Sequence, residues 1–368
     1  MNKRLVFHTA SLLGGGAERV FVLMANALAE RGHDVTLLTW NAQGPNRQMV
    51  SPKVKLHDLE LPITNGGYGK AGTLRGLRGA ARALREIEPD AVYSAPEFMN
   101  LLTALALQLA GSKARFFPSF HAAAALKPQG LGTRLAVHAS RLVAQRATKA
   151  IAVSDGVGRE LVERGFARPK VLTIHNPLFP QTGATASYGW EGELARMGSG
   201  PVIGTAGRLV AVKDQETLLR AFALLAQSRP LRLVIFGEGP LEGRLRQVAR
   251  DLGVADRVLF AGYVNDPAAC YRHLDLFVLS SRSEGFGNVL VEAMAAGVPV
   301  VSTDAPYGPR EILQDGLLGA LVQVGDAGAL ATAMGDSLDH PVSAARLKAR
   351  AADFTLDKAA DRYEALLS

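Results

Sequence analysis

The sequence predicts an α/β protein made of two doubly wound lobes in series, each built on a parallel sheet. Three observations carry that prediction. Short β-rich apolar runs alternate with amphipathic segments of helical length along most of the chain. The alternation stops once, in a Gly-, Ser- and Thr-rich stretch, and then restarts. The length of 368 residues is material for two domains at roughly 100 to 200 residues each. An apolar fraction of 48% with 20% charged residues excludes a disordered, collagen-like or coiled-coil chain.

The first strand is expected over Arg4 to Thr9, closed by Gly14-Gly15-Gly16. A helix follows, with Val20, Leu23, Met24, Ala27 and Leu28 at i, i+3, i+4, i+7 and i+8, and it stops at Gly32 before a second strand over Asp34 to Thr39. Strand, glycine turn, helix and strand make a βαβ unit, whose parallel strands are covered by helices on both faces. The pattern continues with helix Thr73 to Ile87, strand Ala91 to Ser94, helix Met99 to Leu109 and strand Ala114 to Phe117. A helix near Leu131 to Ala147 and the strand Ala150 to Val153 complete it. We read residues 1–180 as the first lobe and residues 181–200 as a linker. Residues 201–350 form the second lobe: strand Val202 to Thr205, helix Gln215 to Leu225, strand Leu231 to Phe236, helix Leu241 to Leu252 and strand Val258 to Phe260. It goes on through a short helix Ala268 to His273, strand Leu276 to Leu279, helix Val289 to Ala296 and strand Val300 to Ser302. Residues 351–368 hold a last amphipathic helix, Leu356 to Leu367, with Ala359, Ala360, Tyr363, Leu366 and Leu367 on one face. Ligands of open parallel sheets bind beyond the carboxyl ends of the strands, so two facing lobes would create a cleft.

The formal net charge of +7 is unevenly spread. Residues 1–180 carry 23 Lys plus Arg against 12 Asp plus Glu, a net of +11, and residues 181–368 carry 18 against 22, a net of −4. No acidic residue occurs in the 57 positions between Glu97 and Asp155. A basic lobe suits nucleic acid, an anionic membrane surface or phosphorylated ligands. The single cysteine, Cys270, cannot form an internal disulfide and reads as a small buried apolar residue, so a reducing cytosol is the expectation. The longest apolar run, Leu101 to Gly111, is far short of the roughly 20 residues that span a bilayer, and the first residues lack the long apolar core of a signal peptide.

Several loops carry chemistry. In Ser283 to Ala293 (SEGFGNVLVEA), Glu284 and Glu292 stand eight positions apart on either side of a glycine turn that opens a helix. Backbone N–H groups of Phe286, Gly287, Asn288 and Val289 would point out of that helix terminus, where they and the dipole favour a phosphate. The two glutamates are either ordinary acids at a helix start or carboxylates for hydroxyls on both sides of a phosphate, the layout of a sugar nucleotide. Arg208 and Lys213 follow the first strand of the second lobe and could both reach a diphosphate, or form a solvated cation pair. Gly237-Glu238-Gly239-Pro240 ends the next strand with a turn that lets backbone approach a ligand. Gly14-Gly15-Gly16-Ala17-Glu18-Arg19 is a phosphate-approach loop or a tight packing turn, without the spacing of a dinucleotide fingerprint or a P-loop. His121 ends a strand in the acid-free stretch, as a structural histidine or a site group.

Taken in order, these segments resemble the retaining glycosyltransferases of family 4, which have the GT-B fold of two Rossmann-like lobes facing a cleft. The resemblance covers nearly the whole chain and is strongest from about 202 to 315. It implies that Arg208 and Lys213 hold the diphosphate of a UDP- or GDP-linked sugar and that Glu292 binds the ribose. It further implies that Glu284, with Gly285 and the backbone of Phe286 and Gly287, holds the hexose, beside Asn288, Val289 and Gly239. Gly15 and Gly16 would approach from the opposite lobe, and His121 would contact the sugar near the reacting carbon. Transfer with same-face attack needs no protein nucleophile, cofactor or metal, and the sequence has no Asp-x-Asp pair after a strand. The final helix would cross back to the first lobe.

The acceptor then falls to the first lobe. Arg75, Arg78, Arg82 and Arg85, at i, i+3, i+7 and i+10, share one helix face with Lys70 nearby. This suggests attachment to the cytoplasmic face of the inner membrane and a lipid-linked or cell-surface glycan acceptor, as in lipopolysaccharide biosynthesis. The Tyr307 to Ile312 segment also looks like those of surface-glycan enzymes. A nicotinamide oxidoreductase is disfavoured because G-x-G-x-x-G follows the first strand of neither lobe. A nucleic-acid binder leaves the paired glutamates unexplained. A GT-B sugar-nucleotide epimerase, or transfer to a soluble small molecule, stays open.

Overall fold

A computed structural model of the chain describes residues 2–13, 15–63, 67–122, 139–179, 188–264 and 267–368. It divides into two compact units, Met1–Pro177 with Leu356–Ser368, and Leu178–Thr355. Gly14 and positions 131–138 of the expected helix near Leu131 lie outside the described residues.

The first unit is a seven-stranded sheet of β1 Arg4–Ser11, β2 Asp34–Asn41, β3 Lys55–Asp58, β4 Ala91–Ser94, β5 Arg115–Phe120, β6 Ala150–Ala152 and β7 Val171–Thr173. The strand order is β3-β2-β1-β4-β5-β6-β7, every pair parallel. The order reverses between β1 and β4, the switch point at which doubly wound sheets bind ligands. Its helices are α1 Gly16–Glu30, α2 Gly69–Ile87, α3 Glu97–Ala110, α4 Ser140–Arg146 and α5 Asp155–Glu163, joined by the C-terminal helix Leu356–Ala365. In α1 the predicted Val20, Leu23, Met24 and Leu28 are buried, and so are Phe21, Val22 and Ala25, because the C-terminal helix covers a second side. In α2, Gly76 lets the helix lie against the indole of Trp40, which a Cβ would strike.

The second unit repeats the plan with β8 Val202–Ala206, β9 Arg232–Phe236, β10 Val258–Gly262, β11 Leu276–Leu279, β12 Val300–Thr303 and β13 Leu321–Val322. The order β10-β9-β8-β11-β12-β13 is again all parallel, with its switch point between β8 and β11. Its helices are α6 Gly189–Arg196, α7 Gln215–Leu225, α8 Glu242–Asp251, α9 Pro267–Tyr271, α10 Asn288–Ala296, α11 Pro309–Ile312, α12 Ala327–Asp339 and α13 Ala344–Ala351. Ile203, Leu233 and Ile235 of the sheet pack with Leu218 and Phe222 of α7 and Leu330 and Met334 of α12. The first of these helices corrects the reading of 181–200 as a linker. Trp190 and Leu194, one turn apart, are buried, and the Trp190 ring stands edge-on to Phe236 at 5.0 Å. Glu191 closes the first turn by accepting from the Tyr188 N–H and pairs with Arg272 and His273. Two apolar side chains and the Glu191 pairs bind the helix to the second unit, and two apolar residues are too few to register as periodicity. Among the described residues no helix is long and apolar enough to cross a membrane.

Candidate active site

The switch point of the second sheet places two loops side by side: Gly207–Lys213 after β8 and Ser280–Glu284 after β11. Four contacts join them. The Lys213 ammonium donates to Glu284 Oε1 at 2.5 Å, and Ser280 Oγ donates to the Lys213 carbonyl at 3.0 Å. The Arg282 N–H donates to the Val212 carbonyl at 2.8 Å, and Arg282 Nε donates to Asp214 Oδ2 at 3.0 Å. Asp214, with φ +46, opens α7 and also accepts from Thr217 Oγ1 at 2.9 Å. Arg208 differs from Lys213: its side chain is exposed and forms no ion pair with the described residues, while its carbonyl accepts from Gln215 Nε2. Among the described residues the two loops therefore hold two cations paired with carboxylates, Lys213 and Arg282, and one, Arg208, that is not.

The loop after β9 braces the loop after β8. The N–H groups of Gly207 and Leu209 donate to the carbonyls of Phe236 and Glu238, both at 2.9 Å. Gly237 has φ +125, and a Cβ there would collide with the Gly207 carbonyl. A Cβ on Gly239 would collide with the Leu209 backbone. The sequence reading gave this turn a ligand to approach; the structure gives it another loop, a packing reason that needs no ligand.

Glu284 is held at its backbone as well. Its N–H donates to the Pro306 carbonyl at 2.8 Å and its carbonyl accepts from the Tyr307 N–H at 3.3 Å. Gly285 and Phe286 are buried, and the Phe286 ring packs edge-on to Phe354 at 5.3 Å, so Phe286 can serve a ligand only through its backbone. Gly287, at φ +103, is the N-cap of α10 and supplies no side-chain cap to the first turn of Asn288 and Val289. A helix start whose N-cap is a glycine, with its positive dipole end, is suited to an anion. Glu292 sits one turn in, buried, and its Oε2 accepts from the Tyr271 hydroxyl at 2.7 Å.

In the first unit, Gly15 is the N-cap of α1 and Gly16 its first residue, directly after β1 at that sheet's switch point. His121 follows β5, one strand further along. Its Nε2 shares a 2.9 Å hydrogen bond with Ser119 Oγ, and its ring meets Phe21 edge-on at 5.9 Å. Its Nδ1 is inaccessible and has no partner among the described residues. Desolvation lowers the ring's pKa to about 4, which makes it a neutral imidazole at pH 7.

Two protein-family descriptions match, one to each unit. Residues 15–177 match the glycosyl transferase 4-like domain, and residues 190–354 match the glycosyl transferases group 1. The lipopolysaccharide core biosynthesis glycosyltransferase LpsE of Rhizobium meliloti is 32% identical over 324 residues, 87% of this chain and 84% of LpsE. The chain belongs to the group 1, family 4-like glycosyltransferases. Among solved structures, HepE of Anabaena in complex with UDP-glucose superposes with a TM-score of 0.83 at 22% identity, over 100% of this chain and 99% of that one. The lipopolysaccharide outer core galactosyltransferase WaaB superposes with a TM-score of 0.75 at 18% identity, over 99% of each chain. The fold is thus GT-B, as the resemblance implied.

Sequence reasoning about this glycosyltransferase missed the groups that hold the site residues: Tyr271 on Glu292, Ser281 on Glu284, and Asp214 with Arg282 across the two loops. Each is a common polar residue outside a spacing motif. Position was the sequence signal for Ser281 and Arg282, inside the loop after β11, and for Asp214, directly after the loop that follows β8; Tyr271, in α9, had none.

Proposed function

We propose that this glycosyltransferase moves a hexose from a UDP- or GDP-linked sugar to a lipid-linked or cell-surface glycan acceptor, with retention and without a metal. The observation that carries the reading is the pairing of Lys213 with Glu284 at the sheet's switch point, beside the glycine-capped start of α10. One loop brings a cation for the leaving diphosphate and the other a carboxylate for sugar hydroxyls. Arg208, which has no ion pair among the described residues, adds a second cation to the diphosphate. Glu292, fixed by Tyr271, takes the ribose hydroxyls. Gly285, Asn288, Val289 and the backbone of Phe286 and Gly287 complete the donor site. Gly15 and Gly16 serve the phosphate or sugar from the first unit, and neutral His121 contacts the sugar.

In the step itself the bond from the anomeric carbon to the phosphate oxygen breaks and the acceptor oxygen bonds to that carbon on the same face. The departing phosphate takes the acceptor's proton. Negative charge grows on the diphosphate, and fixed cations stabilise it more in the transition state than in the ground state. No side chain has to act as nucleophile. LpsE and WaaB are named for lipopolysaccharide, and a 118-residue stretch is 39% identical to a Campylobacter jejuni enzyme named for transfer to a diphospho-undecaprenol sugar, which supports a surface-glycan acceptor. Attachment to the cytoplasmic face of the inner membrane would bring the enzyme to such a lipid.

The test is nucleotide release from a panel of UDP- and GDP-sugars, with and without lipid extract and with EDTA. Release should require lipid extract and survive EDTA. Lys213→Ala or Arg208→Ala should lower turnover at least about 100-fold, the cost of losing one preorganised charge-stabilising group. Near-normal turnover in both variants would remove the diphosphate assignment, and an anomerically inverted product would remove retention.

A further inference from the structure

Glu284 is not held by Lys213 alone. Ser281 Oγ donates to the same oxygen, Oε1, at 2.6 Å, and Oε2 forms no hydrogen bond with the described residues. Both donors therefore converge on one carboxylate oxygen from two different loops. Ser281 is fully buried, so its hydroxyl has no water to compete for its single proton. Its backbone is fixed in turn: Thr303 Oγ1, at the end of β12 and fully buried, donates to the Ser281 carbonyl at 2.6 Å. A chain of contacts thus runs from β12 through Ser281 to the carboxylate. It differs from the lysine contact in one respect. Lys213 would also have to meet the diphosphate, whereas Ser281 Oγ donates to no other group among the described residues.

We infer that Ser281, supported by Thr303, is a positioning residue that locks the Glu284 carboxylate so that Oε2 meets the transferred sugar, including when Lys213 turns toward phosphate. The inference rests on the reading of Glu284 as the sugar-binding carboxylate. It predicts a loss confined to the sugar half of the donor. Without the hydroxyl the carboxylate can rotate, and the hydrogen bond to the sugar forms only in part of the population. Hydrogen bonds to charged groups are the stronger ones, and misplacing a site group by about 1 Å can cost about 100-fold, so a tenfold effect is a modest expectation.

Calorimetric titration with UDP, UDP-glucose, GDP and GDP-mannose gives the ratio of sugar-nucleotide to nucleoside-diphosphate dissociation constants for whichever base binds. Ser281→Ala should shift that ratio about tenfold against the sugar nucleotide and lower kcat about tenfold, with diphosphate affinity changed less than about twofold. In a Glu284→Gln background the same substitution should add almost nothing, because the two act as one unit. Thr303→Val, which keeps the volume and loses the hydroxyl, should shift the ratio in the same direction, and Thr303→Ser should restore it. A merely structural serine would instead lower the thermal midpoint and weaken all four ligands together. If Ser281→Ala does not fold, the Thr303 pair decides the matter. An unchanged ratio in Ser281→Ala or Thr303→Val, when Glu284→Gln shifts it, overturns the inference. An unchanged ratio in Glu284→Gln, or no binding of any probe to the unaltered enzyme, overturns the reading of the site on which it rests.

Discussion

A buried histidine in the middle of a strand beside the switch point invites a catalytic reading, and the contacts of His8 give it a structural one. Trp40 Nε1 donates to His8 Nε2 at 3.1 Å, so Nε2 is the acceptor and Nδ1 carries the proton, which it gives to Thr103 Oγ1 at 2.8 Å. Thr103 passes its own proton to the Met99 carbonyl at 2.7 Å. The ring is neutral, satisfied and inaccessible, and burial lowers its pKa to about 3. In the unfolded chain the same ring titrates near 6.5. Between those values the unfolded state binds a proton that the folded state refuses, so stability falls as pH drops from about 6.5 toward 3, by up to about 1.4 kcal/mol per pH unit, and is unaffected above. His121 acts in the same direction, with its pKa lowered to about 4. Urea melts at pH 7.5 and 4.5 check this: His8→Gln, whose amide oxygen can accept from Trp40, should be less stable than wild type at pH 7.5 but lose less between the two pH values. An unaltered acid loss would mean that His8 is charged in the fold. At this scale the sequence made the residues of the proposed donor site legible, because Arg208, Lys213, Glu284 and Glu292 stand at fixed offsets from strand ends and glycine turns. It could not reveal Tyr271 or Thr303, which reach Glu292 and Ser281 from 21 and 22 positions away, nor Ser281, whose backbone Thr303 fixes.

The C-terminal helix shows what an amphipathic pattern discloses and what it omits. Its apolar face was legible from spacing, and Ala359, Ala360, Tyr363 and Leu366 are buried. Its partners were not, because they belong to β1, β4 and α1, several hundred positions earlier. Tyr363 stacks on Tyr93 with centroids 5.2 Å apart, and Tyr93 stacks on Phe7 at 4.8 Å and Phe117 at 5.0 Å. Tyr93 also donates its hydroxyl to the Tyr363 carbonyl at 3.0 Å. Around this aromatic stack Arg31 pairs with Asp361 at 2.7 Å and Glu364 at 2.8 Å, and His33 with Glu364 at 3.1 Å. The acids of that network are well exposed, and exposed pairs contribute about 0 to 1 kcal/mol each, whereas a buried aromatic truncated to alanine costs about 3 to 5 kcal/mol. Tyr363→Ala should therefore destabilise the first unit by several times more than Glu364→Gln in denaturant melts. The reverse order would show that ions, and not rings, dock the helix. Helix α6 is the complementary case: Trp190 and Leu194 were two apolar residues in a glycine-rich stretch, below the repeat that spacing can detect, and Trp190 packs on the rings of Phe236 and His273, both distant in sequence.

For the whole molecule, the charge asymmetry read from the sequence survives division by contacts. The first unit carries 25 Lys plus Arg against 15 Asp plus Glu, a net of +10, and the second 16 against 19, a net of −3. The excess has a place as well as a sign. On α2, Lys70, Arg75, Arg78, Arg82 and Arg85 are exposed together with Leu74, while Gly76, Ala80, Ala81, Ala83 and Leu84 are buried against the fold. Only Arg82 has an acid on the same helix face, Glu86 at 2.8 Å, and Arg85 donates to the Leu109 carbonyl. A cationic stripe around an exposed leucine complements an anionic leaflet, where each basic residue contributes about 1 kcal/mol. Replacing Arg75 and Arg78, neither of which forms an ion pair among the described residues, with glutamine should then weaken binding to phosphatidylglycerol-containing vesicles by roughly tenfold to thirtyfold. The calorimetric affinity for the nucleotide, measured without membranes, should not change, since neither residue belongs to the proposed donor site. Binding of the unaltered enzyme should fall as salt rises and the screening length drops below about 8 Å, and neutral vesicles should bind far less. Equal flotation with neutral and anionic vesicles, or no loss in the double variant, would leave the stripe as a solvated surface and return the acceptor's delivery to the first unit's other loops.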